Sequence, residues 1–204
     1  MYALIEDNSI SKIITNPKSM VIGDVRYPAK IFELWSKSEL NAIGIYEVVT
    51  DSTNKKNDAY YNNTNEEYNY ADNQVTRSWG TATPKRLEDE DAVDEDGENI
   101  LDDDGNQVIN YGLKTEKKRI IKDQASGLLA PTDWYVVKAT EVADYNVPEN
   151  ITIFRADVRS KSNEMETQID ACTNVDELKA LYEYTEQEDG TITRPLAEFP
   201  VLES

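Results

Sequence analysis

The stretch PENITIFRADVRSKSNEMETQIDAC, Pro148 to Cys172, sets the architecture of the second half of the chain. Its apolar residues Ile151, Phe154, Val158, Met165, Ile169 and Cys172 recur in steps of three, four and seven. A helix turns every 3.6 residues, so residues at these steps fall on one stripe. The pattern predicts an amphipathic helix from about 148 to 172, with Pro148 in its first turn, where a missing N–H has no intrahelical partner to lose. Cys172 continues the stripe and reads as a buried thiol.

Working outward, the segment TEKKRIIKDQASGLL (115–129) puts Ile120, Ile121, Ala125, Leu128 and Leu129 on one helical face. The basic run KTEKKR at 114–119 becomes its wet face. APTD ends this helix, and Thr132 or Asp133 caps the next one, WYVVKATEVA. Asn146 falls in the loop that follows. Downstream, Asn174 and Glu177 have the spacing of a helix cap, with Val175, Leu178, Leu181 and Tyr182 facing inward. These features predict a helical module over 113–184 with three to four helices. The remaining stretch, 185–204, reads as an extended C-terminal arm that docks on a neighbour, after an Asp189-Gly190 turn.

The front half follows a different period. YALIED and SKIIT flank Asp7-Asn8, a hairpin signal, and MVIGDVRYP reads as a strand pair or as one strand with a Gly-Asp turn. Ser36 and Glu39 have capping-box spacing, and Gly44 suits the stop of the short helix they begin. Leu40 and Ile43 form its inner face, with Phe32, Leu34 and Trp35 just upstream, and IYEVV resumes as a strand. Residues 1–50 are thus expected to be a small α+β module. Residues 51–112 are expected to be an Asn/Tyr-rich and acidic β-hairpin region. Tyr60, Tyr61, Tyr68, Tyr70 and Val75 predict short exposed strands, and these aromatics oppose the competing reading of disorder. The same residues offer either a strand edge or a carbohydrate or protein contact surface. Two Asp-Gly turns, at 96–97 and 104–105, form a local repeat. The fold class is therefore α+β: a β-rich N-terminal half, then an α-helical module and an arm.

Composition removes several function classes. The chain has 204 residues, with 21 Lys+Arg against 40 Asp+Glu, a net charge of −19. Such a surface opposes non-specific binding to nucleic acid or to an anionic membrane. Histidine is absent, which removes Ser-His-Asp and Cys-His catalysis and His-rich metal sites. The single cysteine allows no intrachain disulfide. MYALIEDNSI has no basic stretch followed by a long apolar run, so no signal peptide is expected, and no stretch approaches a membrane span. Eleven of the forty acids lie between Glu88 and Asp104 and invite a calcium reading. An EF-hand-type loop needs an acid at its first position, but Ala92 and Ile100 stand there. Solvated turns are the reading, and no metal, cofactor or catalytic residue is assigned.

The segment Leu128–Arg159 has a complete packing interpretation. Asp133 meets the free N–H groups at a helix start, Trp134 covers the adjoining helix, and Pro148 begins the next. Arg155 and Arg159 share a helix face, where Glu141 is placed to pair with one of them. These residues also carry a resemblance. Leu128-Leu129, Thr132-Asp133-Trp134, Glu141, Val147-Pro148, Phe154-Arg155 and Arg159 resemble the helical signature of tail assembly and tail fibre assembly chaperone-like proteins of tailed bacteriophages. The usual form is LLxxTDWxxxRxxE, then VP, then Tyr/Phe-Arg and a second Arg. The match covers about 115–183. Lys138 stands where arginine is common, keeping the charge but losing the bidentate fork. TNVDELKAL is similar to the end of such modules, and IFELWSKSELNAIGIYEV to the starts of many small phage proteins encoded beside tail genes.

The resemblance implies a non-enzymatic tail protein without a cofactor. It implies a fibre or baseplate protein as partner, in an oligomer or hetero-complex; the net charge of −19 is what opposes nucleic acid and membrane as partners. It implies the host cytoplasm during assembly, with retention in the virion tail as an alternative. The second reading is a permanent virion subunit: a fibre adaptor, fibre tip or baseplate component. The third is a glycan-active enzyme using two carboxylates.

Overall fold

In the computed structural model, which describes residues 1–202, Tyr2–Glu6 (β1) and Ser9–Ile14 (β2) form an antiparallel hairpin. Asp7 and Asn8 both take positive φ, 50° and 61°, as a two-residue turn matched to strand twist requires. Met20–Ile22 (β3) and Val25–Tyr27 (β4) form a second small hairpin. Two short helices follow, Ile31–Leu34 (α1) and Lys37–Ala42 (α2). Ser36 caps α2 with the expected reciprocal bonds: its Oγ accepts from the Glu39 N–H at 3.3 Å, and its own N–H donates to the Glu39 carboxylate at 2.8 Å. Gly44 then turns the chain with φ of 82°, and a Cβ there would stand 2.7 Å from the Ile5 carbonyl oxygen. Only glycine satisfies both the conformation and the approach. β1 changes register between Leu4 and Ile5 beside this contact.

Ile45–Thr50 (β5) pairs antiparallel with β1. The next strands are Tyr61–Asn62 (β6), Glu66–Ala71 (β7), Gln74–Trp79 (β8) and Thr83–Pro84 (β9). β8 runs parallel to β5, and β7 closes the edge, giving the order β2-β1-β5-β8-β7. Asp72 and Asn73 repeat the positive-φ chemistry of the first hairpin between β7 and β8. Leu4, Ile14, Ile31, Phe32, Leu40 and Ile45 form the core of this unit. Leu34, expected near that core, is exposed.

Two compact units divide the chain at Pro84 and Lys85, not at the boundaries near 50 and 112 that sequence alone suggests. The reason is nonlocal: β8 completes the sheet begun by residues 1–50, and β6 pairs with β9. Tyr60 and Tyr61 are also buried rather than exposed.

In the second unit, Glu90–Asp91 (β10) pairs with Ile109–Asn110 (β11) around the two Asp-Gly turns. The repeat closes on itself through backbone bonds. Ala92 donates to Val108, Val108 to Ile100, and Ile100 to Ala92, at 2.8–2.9 Å. The helices are Leu113–Leu129 (α3), Asp133–Glu141 (α4), Glu149–Ala171 (α5) and Val175–Ala180 (α6), with a 3-10 turn at Ala130–Thr132. α3 packs on α5. All six stripe residues of the opening stretch are buried. The seven-residue step from Val158 to Met165 is bridged by Ser162, buried and bonded to Glu166. Asn174 caps α6 by accepting from the Glu177 N–H at 2.9 Å.

Two expectations for α3 change. Ile120 is half exposed, and the basic run is not simply a wet face. Lys114 is buried, donating to Glu88 at 2.5 Å and to the Asp170 carbonyl at 3.0 Å. Lys118 pairs with the Asp170 carboxylate at 2.7 Å, and Lys117 lies over the Tyr182 ring. Cations thus gather at the C-terminal end of α5, the negative end of its dipole. Gly112 caps α3 where a Cβ would lie 2.4 Å from Glu88 backbone atoms, so a side chain there is excluded.

Thr185–Glu186 (β12) and Ile192–Thr193 (β13) flank the Asp189-Gly190 turn. Beyond them the arm docks within its own unit. Gln168 donates to the Pro195 carbonyl and accepts from the Ala197 N–H, both at 3.0 Å. Leu196 is buried, and Phe199 packs on Ala125, Phe154 and Val158. The arm described through 202 therefore supplies apolar cover for α3 and α5 that their own sequences lack. The last two residues of the predicted arm, 203–204, lie outside the described residues.

Candidate functional site

Leu128, Leu129, Thr132, Asp133, Phe154 and Arg155 meet at the junction of α3, α4 and α5. Arg155 is its hub. One guanidinium nitrogen donates to the Leu129 carbonyl at 3.0 Å and to the Thr132 hydroxyl at 2.5 Å. A second nitrogen stands 2.8 Å from the Asp133 carboxylate. The planar fork suits this task because its donors diverge in fixed directions. Thr132 is 2% exposed, and its own hydroxyl donates back to Leu129 at 2.7 Å. The exposed carbonyl end of α3 is thereby satisfied by a buried hydroxyl and a cation.

Phe154 is buried beside Arg155 and packs with Ala125, Val158, Leu128 and Leu129. Pro148 sits one residue before α5 as its N-cap, and its carbonyl accepts from Thr152. Asp133 occupies the first turn of α4, where its charge also faces the positive helix end. Thr132 is the N-cap but makes no side-chain cap bond, since its hydroxyl is used by Leu129 and Arg155.

Three assignments change. Glu141 forms no ion pair with either arginine; Asp133 takes Arg155 instead. Arg159 bonds to the Arg155 carbonyl of its own helix at 3.1 Å. Trp134, expected as a lid on the adjoining helix, leaves about half of its surface in water. It rests on its neighbour Tyr135, with ring centroids 4.2 Å apart. Lys138 reaches over Trp134 and Tyr145, with its ammonium 5.4 and 4.2 Å from their ring centroids. A compact ammonium fills this cation–π role without a bidentate fork.

α4 buries no residue. Trp134, Val136 and Val137 are exposed along it. Covering these side chains would remove apolar area from solvent.

Other candidates resolve differently. Cys172 is buried, and desolvation pushes its thiol above the ordinary value, away from a reactive thiolate. In the acidic turns, Asp94 accepts from the Asp96 and Glu98 N–H groups and Asp102 from those of Asp104 and Asn106. The bonds from Asn106 hold the Asp102 carboxyl below its usual value. Among the described residues no group of three or more acids, cysteine or histidine is arranged to hold a metal ion, and no helix is long and apolar enough to cross a membrane.

Sequence reasoning missed Lys114, Ser162 and Gln168. Ser162 sits on the stripe by spacing, and only its polarity hid it. Lys114 and Gln168 act on residues distant in sequence, so no local signal marks them. No family model, curated protein or solved structure matches this chain.

Proposed function

We propose that this chain is a non-enzymatic bacteriophage tail protein that assists assembly of, or binds to, a tail fibre or baseplate component. The observation that carries the reading is the junction at Arg155. Thr132, Asp133, Phe154 and Arg155 belong to the resemblance and are held by one guanidinium and one packed cluster. Beside it, α4 leaves Trp134, Val136 and Val137 exposed. A packed junction beside an uncovered helix suits protein binding.

The partner is a fibre or baseplate protein, met in the host cytoplasm during assembly. Nucleic acid and membrane are not partners of so acidic a chain. The test is co-expression with the fibre and baseplate genes of the same genome. A fibre that becomes soluble or trimeric only with this chain supports the proposal. Unchanged fibre folding and infectivity after deletion of the gene sink it. Stoichiometric recovery of the chain from purified virions assigns it instead as a permanent tail subunit.

A further inference from the structure

We infer that the cleft between the first turns of α5 and residues 200–202 docks a partner segment presenting a large apolar side chain between two basic ones. The inference rests on the partner-binding reading above and names the surface and the chemistry of the partner. Asn150, Ile153, Phe154 and Asp157 form one wall, and Pro200, Val201 and Leu202 the other, around an open volume of about 660 Å³. Steps of three and four residues put the α5 members on one face of the helix. Ile153 is 53% exposed and Val201 86% exposed, so apolar surface lines both sides.

Charge decides the occupant. Glu149 and Asp157 stand four residues before and after Ile153, on the same helix face. Neither carboxylate has an ion pair or a side-chain hydrogen bond among the described residues, although Lys161, four residues beyond Asp157, pairs with Glu164. The unit from Lys85 onward has 13 Lys+Arg and 29 Asp+Glu, and 13 − 29 is −16. An apolar cleft flanked by two free carboxylates in that field favours a basic, apolar segment and repels an acidic one.

A second copy of this chain is a poor occupant. It carries the same −19, and its one basic run is already engaged. Lys118 pairs with Asp170, Lys122 with Glu166, Lys117 lies over Tyr182 and Arg119 over Tyr111. A different protein with a basic amphipathic segment fits the cleft.

The experiment titrates the full chain with an amphipathic leucine–lysine peptide and with its leucine–glutamate counterpart, read by calorimetry. The basic peptide is expected to bind and the acidic one not. Ile153→Asp and Asp157→Lys should each weaken binding about tenfold or more. Asp103→Lys makes the same charge change in an exposed acidic turn and should leave the affinity within about twofold. Absence of binding by the basic peptide overturns the inference, as does equal weakening by Asp103→Lys. Self-association of the wild-type chain that Ile153→Asp abolishes also overturns it, by assigning the cleft to a second copy. Circular dichroism of each variant checks folding, and Val201→Asp provides a substitution outside the helix. Co-expression separates the two readings. A fibre or baseplate complex that survives both α5 substitutions leaves the proposed function standing and removes this cleft from it. If no tail protein is captured, the proposed function fails, and the peptide titration still decides the cleft.

Discussion

Arg155 joins three chain segments with one side chain: the end of α3, the turn at Thr132 and the start of α4. Charge-assisted bonds of this kind contribute more than neutral ones, and their loss leaves Thr132 and the Leu129 carbonyl with fewer partners. Arg155→Ala is expected to destabilise the chain by about 2–3 kcal/mol in urea unfolding. Arg155→Lys should recover only part of this, because an ammonium lacks the diverging fork. Trp134→Ala is expected to cost less than about 1 kcal/mol, since much of the ring already lies in water. A thermal shift for Trp134→Ala as large as that for Arg155→Ala would restore Trp134 as a cover for the neighbouring helix. At this scale the sequence grouped Thr132, Asp133, Phe154 and Arg155, which the fold brings to one junction. It misassigned their pairs, because Asp133 and Glu141 are equally plausible partners until the approach of α5 to α4 is known.

At the scale of elements, local chemistry was legible wherever a local motif defines the end of a segment. The Asp7-Asn8 hairpin, the Ser36–Glu39 capping box, the Gly44 stop, the Asn174 cap and the six-residue stripe of α5 all follow from neighbours in sequence. The arm shows where this stops. Its Pro-interrupted sequence suggests an extended strand reaching a neighbour, yet Gln168 holds it against its own α5. Leu196→Ala, removing a fully packed side chain, is expected to cost about 2–4 kcal/mol. Gln168→Ala should release the arm and expose the chain near Pro195 to limited proteolysis, with α-helical circular dichroism largely retained. Unchanged cleavage in that variant would show that the two amide bonds do not hold the arm.

At the scale of the whole molecule, charge sets the pH response. Ser36 bonds lower the pKa of Glu39, Thr53 that of Asp51, Thr173 that of Glu177 and Thr191 that of Asp189. A carboxyl with a depressed folded pKa contributes stability above its unfolded value, and that stability is lost as pH falls through the folded value. The melting temperature is therefore expected to fall on acidification below about pH 4, where unfolded carboxylates take up protons. Thermal melts from pH 7 to pH 3 check this; a melting temperature that rises below pH 4 would mean that relief of repulsion among forty acids outweighs the lost caps. The α+β order and the acidic surface were determined by sequence alone, because periodicity and composition act within one segment. So were most helix ends and the absence of histidine chemistry. Tertiary structure alone decided that β8 joins the front sheet, that Tyr60 and Tyr61 are buried, that Lys114 is an anchor and that the arm folds back. Each of these depends on a partner brought close by folding, and distance along the chain carries no information about that approach.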